Sequence, residues 1–80
     1  MHEIDLAILQ SDDWDAVYVD GYRVYSGHEN LIDIVLDEIS GKTVRSTMRA
    51  YAEAGTPAGD YLFEHGDYPE VLGDLPPLRG

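Results

Sequence analysis

The chain contains no cysteine, which excludes disulfide cross-links, a thiolate zinc site and a cysteine nucleophile. Basic residues are nearly as scarce. One Lys and four Arg stand against ten Asp and six Glu, a formal net charge of −11. Affinity for DNA, RNA or an anionic membrane rests on Lys and Arg neutralising phosphates, so direct binding to any of them is not expected. No apolar run is long enough to cross a bilayer, and Met1-His2-Glu3-Ile4-Asp5 has neither the basic start nor the apolar stretch of a signal peptide, which predicts a cytoplasmic protein. Glycine-rich phosphate loops are missing as well.

What is present fits one small globular domain spanning 1–80, with 44% apolar and 26% charged residues. Ile4, Leu6 and Ile8 alternate with Glu3, Asp5 and Ala7, the period of a half-buried strand over about 3–9. A second strand follows the Ser11-Asp12-Asp13 turn. Asp20-Gly21 between Val17-Tyr18-Val19 and Tyr22-Arg23-Val24-Tyr25 marks a hairpin. Its register places Val19 opposite Tyr22 and Val17 opposite Val24 on the core face, leaving Trp14, Ala16, Tyr18, Arg23 and Tyr25 on a face that is open or covered by a partner.

Ser26 and Glu29 have capping-box spacing, and Ile32, Val35, Leu36 and Ile39 repeat at helical intervals, predicting a helix over 27–40. Leu31 and Ile34 widen its apolar arc to about 200°, more than one sheet face requires, so a second helix or another subunit should meet it. Val44, Met48, Tyr51 and Ala52 suggest that second helix over 43–54, stopped by Gly55-Thr56-Pro57. Tyr61-Leu62-Phe63-Glu64 reads as a short fourth strand, and 68–80, with Pro76-Pro77, as an extended tail packing through Val71, Leu72 or Leu75. The expected fold is α+β: an antiparallel sheet of three to four strands with two helices packed on one face.

Chemistry-bearing motifs are few. Histidines at His2, His28 and His65 lack zinc-binding spacing, and only His65 with Asp67 offers two neighbouring ligands. Ser26, His28 and Glu29 are too close in sequence for relay geometry. No catalytic, cofactor or metal site is expected, and the protein is read as a non-enzyme. Carboxylates carry the remaining signal. Glu29, Asp33 and Asp37, spaced four apart, would line one helical edge, and Asp12, Asp13 and Asp15 could extend that row. Trp14, Tyr18 and Tyr25 beside Arg23 have the composition of a binding hot spot.

The segment from Trp14 to His28 looks like the opening hairpin of small, mostly uncharacterised prokaryotic and phage proteins. In size, acidity and lack of enzymatic motifs the whole chain resembles phage-encoded anti-CRISPR and anti-restriction proteins, a resemblance of kind and not of motif. That resemblance implies an inhibitor that imitates nucleic acid. The resemblance assigns no residues; the charge spacing and the hairpin composition point to Glu29, Asp33, Asp37, Asp12, Asp13 and Asp15 as the groups that fill the basic groove of a CRISPR effector or another nucleic-acid-binding protein, with Trp14, Tyr18 and Tyr25 as anchors. The alternative is a small acidic accessory or structural protein, dimeric or not, whose charge serves solubility or salt adaptation.

Overall fold

The computed structural model of the protein describes residues 3–78, so His2 lies outside the described residues. Its elements run β1 (Glu3–Gln10), β2 (Asp15–Val19), β3 (Tyr22–Gly27), α1 (Leu31–Ile39), β4 (Thr43–Tyr51), α2 (Pro57–His65) and a short 3-10 turn (Leu72–Asp74). The fold is α+β. Its four strands are ordered β3-β2-β1-β4, with the first three antiparallel and β4 parallel to β1. The sheet is therefore mixed and not purely antiparallel as expected. A parallel neighbour needs a crossover, and α1 provides it by carrying the chain from β3 on one edge to β4 on the other.

The hairpin forms at Asp20-Gly21, whose φ values of 53° and 84° are the two positive angles that a two-residue turn needs. Val19 faces Tyr22 as expected, but a bulge then shifts the ladder: Tyr18 pairs with Arg23 and Val17 with Tyr25. Val24 becomes the extra residue and lies exposed. Tyr25 consequently shares the face of Val17, not that of Tyr18.

Two of the expected elements are corrected. Residues 43–51 form a strand, because Thr43, Val44 and Thr47 suit a pleated surface and β1 offers a free edge to pair with. The second helix lies farther on, over 57–65, where a fourth strand was expected. Thr56 is its N-cap, accepting a bond from Gly59 N–H at 3.1 Å, and Pro57 occupies its first turn. Thr-Pro starts this helix; it does not stop the previous element.

The first helix is also shorter at its N-terminus. Asn30 is the cap, its side chain accepting from Ile32 N–H at 3.2 Å, while Ser26 donates to Asp67 at 3.0 Å. The capping box expected from Ser26 and Glu29 does not form.

Residues opposite one another in the ladder share a face, so Ala7, Leu9, Ala16, Tyr18 and Ala50 lie together. This face is the main core. Ala58 and Leu62 of α2 pack on it with Tyr68, Leu72, Leu75 and Leu78. The tail packs through Leu72 and Leu75 as expected, with Tyr68 and Leu78 adding to that contact. It also pairs with β3: Arg23 N–H donates to the Glu70 carbonyl and Leu72 N–H to the Gly21 carbonyl, each at 2.8 Å. On the reverse face, Ile8 and Arg49 border a crevice with Leu31, Ile32, Val35 and Leu36 of α1. The two helices therefore border opposite faces.

A charge cluster ties the start of β1 to β4. Arg45 donates to both Asp5 oxygens at 3.0 and 2.5 Å and Ser46 donates at 2.7 Å, which holds the Asp5 carboxyl at about 2, well below the ordinary 3.8. A carboxyl depressed on folding contributes stability above its unfolded value and loses it as pH falls toward its folded one. The Asp5→Asn variant should therefore lose less stability than the wild type between about pH 4 and about pH 2, measured by urea unfolding across that window.

Candidate functional site: an acidic crevice at one end of the sheet

Two antiparallel steps make β3 run in the direction of β1, so β1, β3 and β4 all finish at the same end of the sheet. Each finish is followed by acid: Asp12, Asp13 and Asp15 after β1, Glu29 after β3, and Glu53 after β4. Lys42 and Arg45 lie at the opposite end, where β4 begins. There they sit among Glu3, Asp5, Asp20 and Glu38, so the bases of that end are matched by acids of their own.

At the acidic end a crevice of about 560 Å³ opens between the turn after β1, the segment after β4 and α2. The neighbouring chain paths are tied by Ala52 N–H donating to the Gln10 carbonyl at 2.8 Å. Its lining includes Asp12, Asp13, Trp14, Tyr51, Glu53, Leu62 and Phe63, with no Lys or Arg. A volume of this size falls within the usual range for a bound ligand, about 300–1,000 Å³.

The aromatic wall is braced from behind. Trp14 Nε1 donates to Asp67 at 3.1 Å, and the same carboxylate receives Ser26 at 3.0 Å, the Tyr68 N–H at 2.8 Å and the Arg23 guanidinium at 3.2 Å. The Ser11 hydroxyl closes the turn by donating to the Trp14 carbonyl at 2.7 Å and accepting from Trp14 N–H at 3.1 Å. Across the crevice the Tyr51 hydroxyl donates to Asp12, and that carboxylate pushes the Tyr51 hydroxyl up to about 12. Phe63 stands at the rim with 91% of its surface exposed.

The expected site residues are distributed unevenly over this geometry. Asp12, Asp13 and Trp14 meet in the crevice, and Asp15 is half-buried at the start of β2 beside it. Tyr18 is fully buried, its hydroxyl donating to the Pro69 carbonyl at 2.5 Å, so it belongs to the core and not to a contact surface. The face expected to be open is the one that α2 and the tail cover. Tyr25 is half-buried on the reverse face, where its hydroxyl accepts from Glu29 N–H at 3.0 Å.

The three-carboxylate helical row is reduced to two. Asp33 and Asp37 are exposed one turn apart on α1, but Glu29 precedes the helix. Tyr51, Glu53, Leu62 and Phe63 were not expected at the site, because placing them there requires β4 to be a strand and 57–65 a helix.

Among the described residues, no group of three or more metal-ligating side chains converges. His65 stacks on Tyr61 with ring centroids 4.0 Å apart and its Nδ1 lies 3.0 Å from the Tyr61 carbonyl. No helix among the described residues is long and apolar enough to cross a membrane. The chain matches no family model, no curated protein and no solved structure.

Proposed function

We propose that this is a non-enzymatic, cytoplasmic acidic inhibitor that imitates nucleic acid and occupies the basic groove of a CRISPR effector or another nucleic-acid-binding protein. One observation carries the reading: Asp12, Asp13 and Glu53 line a crevice with no Lys or Arg in its walls, at the end of the sheet where Asp15 and Glu29 also follow or begin strands. Basic groups near the carboxylates elsewhere are already engaged. Arg45 holds Asp5, Arg23 holds Asp67, and Lys42 donates to the Glu38 carbonyl at 2.8 Å. A groove built for phosphates would meet the acidic end with charge-assisted Arg contacts and would be steered to it over distance. Asp33 and Asp37 extend negative charge along α1 and would meet the flank of such a groove.

The test is competition. A nucleic-acid-binding protein captured on the wild-type chain should release a labelled duplex when that chain is added, less so as salt rises. The triple change Asp12→Lys, Asp13→Lys, Glu53→Lys should weaken this by about a hundredfold or more while circular dichroism stays unchanged. A captured protein that keeps its duplex bound would overturn the reading.

Ile32 and Leu36, 70% and 58% exposed on α1, favour a second reading as an accessory protein that self-associates through this helix. A mass that rises with concentration and is indifferent to the triple change would select it.

A further inference from the structure

We infer that the crevice is an anchor pocket for one arginine side chain of the protein partner. The inference rests on the proposed function in taking the partner to be basic, and it goes further by naming the group that enters and the walls that receive it.

The walls are chemically divided. Trp14, Tyr51, Leu62 and Phe63 supply aromatic and apolar surface, while Asp13 and Glu53 supply exposed carboxylates to the same space. A guanidinium suits both. It is planar, stacks on aromatic faces, sheds water more readily than an ammonium, and presents its N–H groups as a fork to carboxylate oxygens. Lysine would bring a compact, strongly hydrated charge that can use the carboxylates but gains less from the rings. An anion is repelled by three acids with no base to offset them, and a neutral apolar group would leave those acids desolvated without a partner.

The pocket is also prepared for its occupant. Trp14 is fixed through Asp67, and Asp12 is occupied in orienting Tyr51, so neither ring needs to be ordered on binding. Phe63 is different, being almost wholly hydrated at the rim. Stacking on the aliphatic stem or the guanidinium of an incoming arginine would remove that ring from water, the behaviour of an interface anchor.

Trp14 is the only tryptophan in the chain, so tryptophan emission comes from a single side chain that lines the crevice. The full chain should be titrated with the blocked peptide acetyl-Gly-Arg-Gly-amide and with its Lys counterpart at low salt. A saturable change in Trp14 emission is expected, with the Arg peptide bound about tenfold more tightly than the Lys peptide. The exposed-site changes Phe63→Ala, and Asp13→Asn with Glu53→Gln, should each weaken the Arg peptide by about fivefold to tenfold, whereas Asp33→Asn with Asp37→Asn should not.

Equal response to both peptides, insensitive to Phe63→Ala, would reduce the effect to diffuse charge attraction and overturn the pocket. If the captured basic protein still binds and ignores Phe63→Ala while the Arg peptide does not bind, the pocket falls and the proposed function stands. If the Arg peptide binds as expected but no captured protein competes with it, the pocket stands and the proposed function falls.

Discussion

Replacement of Asp67 by alanine should cost about 3 kcal/mol of folding stability, a large share of what an 80-residue chain holds when net stability runs at roughly 0.1 kcal/mol per residue. The carboxylate is a junction between distant parts of the chain. It receives Trp14 from the turn after β1, Ser26 and Arg23 from β3, and the adjacent Tyr68 N–H. Hydrogen bonds to a charged group contribute about 1.5–3 kcal/mol each, but these share one carboxylate and water can replace part of them.

Side-chain exposures of 22% for Arg23 and 34% for Asp67 keep the loss below that of a fully buried pair. The Asp67→Asn variant separates charge from geometry. It retains an oxygen for Trp14 and the Tyr68 N–H, so it should lose only about 1 kcal/mol, mostly at Arg23. Chemical denaturation followed by Trp14 fluorescence reads both. A loss under 1 kcal/mol for the alanine variant would show that the junction is dispensable. Because Asp67 braces the crevice wall, the same variant should also shift the native Trp14 emission toward that of a hydrated indole.

Local signals were sufficient for β1, the Asp20-Gly21 hairpin and most of α1, since each is written in alternation, turn chemistry or helical spacing within a few residues. They failed where a distant partner decided. Val44, Met48, Tyr51 and Ala52 fit a helical stripe as well as a strand, and it is the free edge of β1, some forty residues earlier in sequence, that selects the strand. Thr56-Pro57 was ambiguous in another way: the same dipeptide that cannot continue a helix is well suited to begin one.

The bulge at Val17/Tyr18 has no local marker at all, yet it moves Tyr25 to the reverse face. The site inherits these differences. Asp12, Asp13 and Trp14 are contiguous and could be singled out together. Tyr51, Glu53 and Phe63 join them only because parallel pairing sets the ends of β1 and β4 side by side and α2 then crosses that end.

Gly59→Ala should invert the usual rule for helices. Within a helix this change ordinarily gains about 0.5–1 kcal/mol, because glycine gives up more conformational freedom on folding. Here a Cβ on Gly59 would lie 2.0 Å from the Glu53 carbonyl oxygen and 2.7 Å from its carbon. Both are backbone atoms, so no side-chain rotation can relieve the clash. Either α2 or the segment after β4 must move, at a cost of about 1–3 kcal/mol that outweighs the helix gain.

The position also lines the crevice, with Glu53 on the facing segment, so the displacement that relieves the clash must reshape the site. Gly73→Ala is the control: its Cβ would meet only a Val71 methyl carbon at 4.0 Å, an ordinary contact, and stability should change little. Thermal unfolding of the two variants should therefore diverge, with Gly59→Ala melting far lower and the control near the wild type. Binding of the Arg peptide by whatever fraction of Gly59→Ala remains folded should weaken as well, since close approach of α2 to Glu53 is what brings Phe63 and the acidic segment to one opening. If Gly59→Ala were as stable as the wild type, that approach would not be a property of the native fold, and the crevice built on it would lose its shape.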